Sequence, residues 1–178
     1  MSLIKPNNSI PNLFLEIPES THKAEYERVM DKWEKSGEKI QPSLMRRCAV
    51  DYQKWLEYCE DDRTKGSMLA DNVPCTLFFA LNEQKEIVGA IEINHRDTAL
   101  GHIHFGVVPW HRGKGYGTAM LASALKEFKK MGMSKVHICP SGKDNVACIH
   151  TVLKNGGYLI EEFDYDGIIK QRYEIDLG

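Results

Sequence analysis

The densest chemistry in this 178-residue chain lies between Pro109 and Thr118, which read Pro-Trp-His-Arg-Gly-Lys-Gly-Tyr-Gly-Thr. Alternating apolar residues precede the segment. Met120, Leu121, Ala124, Leu125 and Phe128 follow it at helical spacing. A turn at the mouth of a helix leaves N–H groups that the helix cannot pair with its own carbonyls. Those donors, with the positive end of the helix dipole, favour a bound phosphate. Gly113, Gly115 and Gly117 let the chain turn sharply and keep side chains out from between backbone and ligand. Arg112 and Lys114 add positive charge beside them.

Spacing separates the phosphate-binding motifs. A P-loop needs Ser or Thr after Gly-Lys, and Gly113-Lys114 is followed by Gly115. The dinucleotide fingerprint G-x-G-x-x-G needs one more residue before its last glycine. What remains is R-G-x-G-x-G from Arg112, or more loosely R/Q-x-x-G-x-G/A. A module using this turn for ATP or GTP, or a turn holding nothing, stays as a rival.

The elements around the turn follow from periodicity and punctuation. A first strand is expected over 12–17, closed by Pro18, then a helix from Ser20 to Gly37 and a second from Asp51 to Asp61. Strands follow at 75–81 and 86–94, joined by a hairpin turn, and at 102–108, ended by Pro109. Next come a helix over 115–131, a strand at 135–139, a helix over 144–155, and strands at 157–163 and 168–175. No linker or repeat divides the chain, so residues 1–178 read as one α/β domain with helices covering a mixed sheet.

Composition narrows the partners. A net charge of −2 and a pI near 6.4 argue against nucleic acid or an anionic membrane as the main partner. The five cysteines are odd in number, widely spaced and contain no C-x-x-C pair, which suggests neither a metal site nor a disulfide framework. Reduced thiols in a cytoplasmic protein are the expectation. The N-terminus lacks a long apolar stretch, so a signal peptide or membrane anchor is not expected.

At Val107-Val-Pro-Trp-His-Arg-Gly-Lys-Gly-Tyr-Gly-Thr-Ala-Met-Leu121 the sequence resembles the coenzyme A motif of the GNAT N-acetyltransferase superfamily. Asp144-Asn-Val-Ala-Cys148 and Lys154-Asn-Gly-Gly-Tyr158 are similar to that family's second helix motif and the strand after it. Ile87-Val-Gly through Gly101-His-Ile-His resembles a subgroup of predicted acetyltransferases. The likeness covers about residues 75–165, and the first 70 residues match only in element order. The resemblance implies a GNAT-like fold: a mostly antiparallel sheet of about six or seven strands with a central parallel pair, flanked by about four helices.

It implies acetyl-coenzyme A as donor and an amine, on a small molecule or a peptide, as acceptor, with direct attack in a ternary complex. Carried over by position, Arg112, Gly113, Lys114, Gly115, Tyr116, Gly117 and Thr118 would hold the diphosphate. Gly106, Val107 and Val108 would pair their backbone with the pantetheine arm, and one N–H would polarise the thioester carbonyl. Asn145 would contact the pantetheine side. A homodimer is compatible with the resemblance, and a non-catalytic acyl-coenzyme A sensor is the alternative.

An alkylamine of pKa ~10.4 is only about one part in 2,500 neutral at pH 7, a deficit of roughly 4.6 kcal/mol, so a general base is useful. Many family members place a glutamate near the start of the strand before the turn, and the aligned residue here is Gly101. His102 is the first substitute, because imidazole titrates near neutrality. Glu92 on the neighbouring strand is the second, through a water, and His104 is a weaker third. The position of the usual tyrosine acid is taken by Val152. Tyr52, Trp55 and Tyr58 could border the acceptor site, and a core-facing aromatic stripe explains the same residues more simply. Glu57, Glu60, Asp61 and Asp62 could attract a cationic amine to it.

Overall fold

The computed structural model describes residues 9–46, 51–66 and 72–178. Cys48 lies outside the described residues. Strand β1 (Phe14–Glu16) leads into helix α1 (Lys23–Lys35) through a short 3-10 turn, and α2 spans Tyr52–Lys65. Asp51 caps α2 by accepting the Lys54 N–H at 2.9 Å, and Gly66, with φ of 101°, ends it. Strands β2 (Cys75–Leu81), β3 (Ile87–Asn94) and β4 (Ile103–Val107) follow, then α3 (Tyr116–Lys130) and β5 (Lys135–Ile138). Helix α4 (Val146–Lys154) and strands β6 (Tyr158–Tyr165) and β7 (Ile168–Asp176) complete the chain.

The strands form a four-stranded sheet, β1-β2-β3-β4, and a three-stranded sheet, β5-β7-β6. Every ladder among the described residues is antiparallel, so the expected central parallel pair does not form as a ladder. The sheets meet instead at one point. Gly101 bridges Ile138, and the His102 N–H donates to the His137 carbonyl at 2.7 Å. Beyond that point residues of β4 and of the segment after β5 line opposite sides of a cleft.

Strand β3 is buried along its whole length because both faces of the first sheet are covered. One face packs Phe79, Ile87 and Ala90 against Trp33 of α1 and Trp55 of α2. The other packs Val88, Ile91 and Ile93 against Met120, Leu121 and Phe128 of α3 and Val152 of α4. Tyr52 and Trp55 form the core-facing stripe and belong to the first core, where Trp55 stacks on Tyr26 and Phe79. The Tyr52 hydroxyl donates to the Glu19 carbonyl at 2.7 Å, and burial pushes this phenol well above its ordinary value. Among the described residues, no helix is long and apolar enough to cross a membrane.

A polar network fastens the seam between the sheets. The two ring nitrogens of His137 lie 2.7 Å from Asp97 and 2.9 Å from Glu174. The Arg172 guanidinium donates to the same Asp97 oxygen at 2.6 Å. Hydrogen bonds from Tyr158, His137 and Lys135 hold the Glu174 carboxyl down at about 2.

Candidate functional site

The cleft between the sheets has a volume of about 860 Å³ and is lined by Trp33 of α1 and the segment after it, strands β3 and β4, the glycine-rich turn, the segment after β5, α4, and Lys170 of β7. That is ample for a large cofactor with a small second substrate. A 3-10 turn, Pro109–His111, carries the chain from β4 into the glycine-rich turn. Gly113 (φ 74°) and Gly115 (φ 85°) are left-handed, the conformation for which glycine is the least strained residue. Gly115 is the N-cap of α3.

Hydrogen bonding within α3 begins with the Ala119 N–H donating to the Gly115 carbonyl at 3.1 Å. Among the described residues, the main-chain N–H groups of Gly113, Lys114, Gly115, Tyr116, Gly117 and Thr118 find no acceptor in the protein. No side chain caps the helix. All of these residues except Lys114 border the cleft. A run of unengaged amides at the mouth of a fifteen-residue helix is an anion cradle. Arg112 donates its Nε–H to the Val107 carbonyl at 3.2 Å and pairs with Glu38. Lys114 reaches the Trp110 carbonyl at 3.4 Å.

The strand before the turn presents its edge to the cleft. In an antiparallel ladder successive N–H groups point to opposite edges. The Val108 N–H donates to the Val88 carbonyl at 3.0 Å, so it serves the sheet, and by alternation Gly106 faces β3 as well. Phe105 and Val107 therefore turn their amides to the open edge. Gly106 has a different role: a Cβ there would lie 2.4 Å from the Gln41 carbonyl oxygen, so its absence lets the α1–α2 segment cross the strand. Val108 is fully buried and does not border the cleft.

Asn145 borders the cleft as the N-cap of α4. Its Oδ1 accepts the Cys148 N–H at 3.2 Å and its Nδ2 donates to Ser141 Oγ at 3.0 Å. Val152, at the position of the usual acid, is wholly buried. His150, Thr151 and Lys154 of α4 also border the cleft, and no local motif in the sequence announces them.

The proposed bases part company. His102 is 3% exposed and does not border the cleft. Its Nδ1 accepts the His137 N–H at 2.9 Å, and its ring meets Phe128 edge-on. Burial lowers its pKa first, with Asp97 opposing. His102 lies outside β4, in the seam where the two sheets meet. The two-residue alternation that would put His102 beside His104 starts only at Ile103. Glu92 and His104 do border the cleft and are opposed in register across β3 and β4. Burial alone lowers the His104 pKa.

The acidic end of α2 does not line the cleft. Glu57 pairs with Lys54, Glu60 with Arg63 and Asp61 with Lys65, and none of them borders the cleft.

The model of the Acetyltransferase (GNAT) family matches residues 15–157 of the chain. The chain belongs to this family. Its fold is also that of solved GNAT proteins. A chimera of the spermidine N-acetyltransferase SpeG from Vibrio cholerae superposes with a TM-score of 0.61 at 16% identity, over 93% of this chain and 95% of that one. YncA from Salmonella typhimurium, described as a putative acetyltransferase with its cofactor acetyl-CoA, gives 0.60 at 15% identity over 93% and 94%. The microcin C7 self-immunity acetyltransferase MccE, in complex with acetyl-CoA and AMP, gives 0.65 at 16% identity over 92% of each chain. No curated protein matches this chain. In this GNAT fold the glycine-rich turn, the open edge of β4 and the N-terminus of α4 all face one cleft.

Proposed function

We propose that this GNAT protein is an N-acetyltransferase that moves the acetyl group of acetyl-CoA to an amine. The observation that carries the reading is the row of unengaged amides from Gly113 to Thr118, open to an 860 Å³ cleft. Two fold neighbours described with acetyl-CoA support the choice of donor. When bound, acetyl-CoA supplies an acetyl group activated as a thioester. Arg112, Gly113, Gly115, Tyr116, Gly117 and Thr118 would hold its diphosphate, with Lys114 adding charge nearby. The open-edge amides of Phe105 and Val107 replace those of Gly106 and Val108 as the strand's donors. Asn145 orders the wall at the start of α4.

Glu92 and His104 are the pair best placed to relieve the amine of its proton. His104 is half-buried, and loss of solvent favours its neutral imidazole, so its ring can accept a proton near pH 7. The transfer is proposed as direct attack within a ternary complex. Two cleft cysteines could in principle carry the acetyl group, but burial pushes the thiols of Cys139 and Cys148 up to about 11. A thiol held protonated is a poor nucleophile.

Calorimetry and thermal shift against acetyl-CoA and ATP test the donor, and stabilisation by ATP alone would overturn the proposal. Release of coenzyme A in the presence of a panel of amines tests the transfer. Tight acetyl-CoA binding without release by any amine would favour the acyl-coenzyme A sensor instead.

A further inference from the structure

Helix α4 acts as a ruler along the cleft. Its nine residues span about 13 Å. At its C-terminal end, Asn155 Nδ2 reaches the Thr118 carbonyl at 3.3 Å, so Lys154 stands beside the glycine-rich turn. At its N-terminal end, Asn145 bonds Ser141, and the Ser141 carbonyl accepts from Lys170 Nζ at 2.8 Å. Lys170, on β7, therefore marks the end remote from the turn. Strand β4 gives the same polarity, because it runs from Ile103 towards the turn, which places His104 near its remote end. The diphosphate end and the reacting end are thus separately furnished.

The charges of the cleft are lopsided. Lys39, Lys154 and Lys170 border it, and none has a carboxylate within ion-pair distance among the described residues. Glu92 is the single carboxylate among the described residues that line it. Lys154 lies beside the phosphate cradle and is accounted for there. Lys170 is not: it stands at the other end of α4, half-buried, with only a neutral carbonyl as partner.

Resting on the acetyltransferase reading above, we infer that the acceptor is an amine that carries its own anionic group, a carboxylate or a phosphate, and that Lys170 receives that group. The amine then faces Glu92 and His104 while the anion faces Lys170. A polyamine would instead bring several positive charges to a cleft with a surplus of lysines, an arrangement that disfavours it. The inferred acceptor class differs from that named for the spermidine enzyme of the same fold.

The test compares amines that differ only in the anionic group: amino acids with their decarboxylated amines, O-phosphoethanolamine with ethanolamine, and spermidine beside them. Wild type should favour the anionic member in kcat/KM by about tenfold to a hundredfold, the worth of one charge-assisted hydrogen bond. The larger ratio, carboxylate or phosphate, names the group. Lys170→Gln keeps a donor for the Ser141 carbonyl and removes the charge, so it should erase the preference while leaving the KM for acetyl-CoA unchanged. Equal or better use of the neutral or polycationic amines by wild type would overturn the inference alone. So would a preference that survives Lys170→Gln. Acetyl-CoA binding without turnover of any amine would overturn the transferase reading itself, and this inference with it.

Discussion

Glu92 on β3 and His104 on β4 stand directly opposite one another in the antiparallel ladder, and both residues border the cleft. Opposed residues on one face have Cβ atoms ~5 Å apart, close enough to act on one proton directly or through a water. Glu92→Gln and His104→Gln should each lower kcat/KM by about 10²–10⁴-fold, the usual worth of a general base. The affinity for acetyl-CoA should hold. The double variant should fall little further than the worse single, as groups acting as a unit do. In wild type the acid limb of the pH–rate profile should turn below ~6.5, since burial lowers the His104 pKa, and His104→Gln should remove that inflection. Additive losses would mean that the two residues work apart.

His102→Ala should damage stability rather than chemistry. The variant leaves the half-buried His137 N–H without its acceptor and opens a gap beside Phe128. Together these cost roughly 2–4 kcal/mol. Urea unfolding should show the loss, and turnover per folded molecule should stay within about threefold of wild type. A hundredfold fall in kcat at unchanged stability would return His102 to the mechanism.

The parts of the site legible in the sequence are those whose chemistry is local. The glycine-rich turn could be read because free amides, left-handed glycines and a helix mouth are all properties of ten consecutive residues. Apolar runs placed β2 and β3, and Asp51 marked the start of α2, which continues past the expected end at Asp61 to Lys65. What failed needed information from elsewhere in the chain. His102 was expected on the face of His104 because period-two alternation was extended one residue beyond the strand, which begins at Ile103. For Tyr52 and Trp55 spacing alone leaves a binding stripe and a core stripe open, because a helix covering a sheet needs the same aromatic spacing to fill its core. Lys39, Glu92 and Lys170 share one cleft only because three distant segments converge on it. No spacing within any one of them signals that.

Gly115→Val should abolish acetyl-CoA binding. The N-cap of α3 sits at φ 85°, which a β-branched residue resists, and a Cβ there would lie 3.1 Å from Pro11 Cδ. Gly117→Ala is the control. The added Cβ would meet Thr151 Oγ1 at 3.4 Å, an ordinary contact, and Gly117 is not in the left-handed region. Calorimetry should find binding lost in the first and kept within about tenfold in the second. Retained affinity in Gly115→Val would remove the turn from the donor site.

Stability should decline as pH falls from 7.5 to 5.5, before any carboxylate titrates. His95, His102, His104 and His111 all have pKa values lowered, in each case first by burial. Above ~6.5 both folded and unfolded chains carry these rings neutral, and their contribution is complete. Below ~6.5 the unfolded chain takes up protons that the folded chain refuses, so unfolding becomes easier as pH drops through the folded values. The lowered carboxylates act elsewhere. Asp97 and Glu174 titrate below their ordinary range when folded, so their contribution persists until pH falls under ~4.5. Each proton taken up on unfolding steepens the dependence by about 1.4 kcal/mol per pH unit. Thermal melts at half-unit intervals should therefore show Tm falling by several degrees across this window, at about 2–4 °C per kcal/mol for a chain of this size. His104→Gln should shallow the slope. A flat Tm from 7.5 to 5.5 would mean that these rings meet solvent in the folded protein as freely as in the unfolded one.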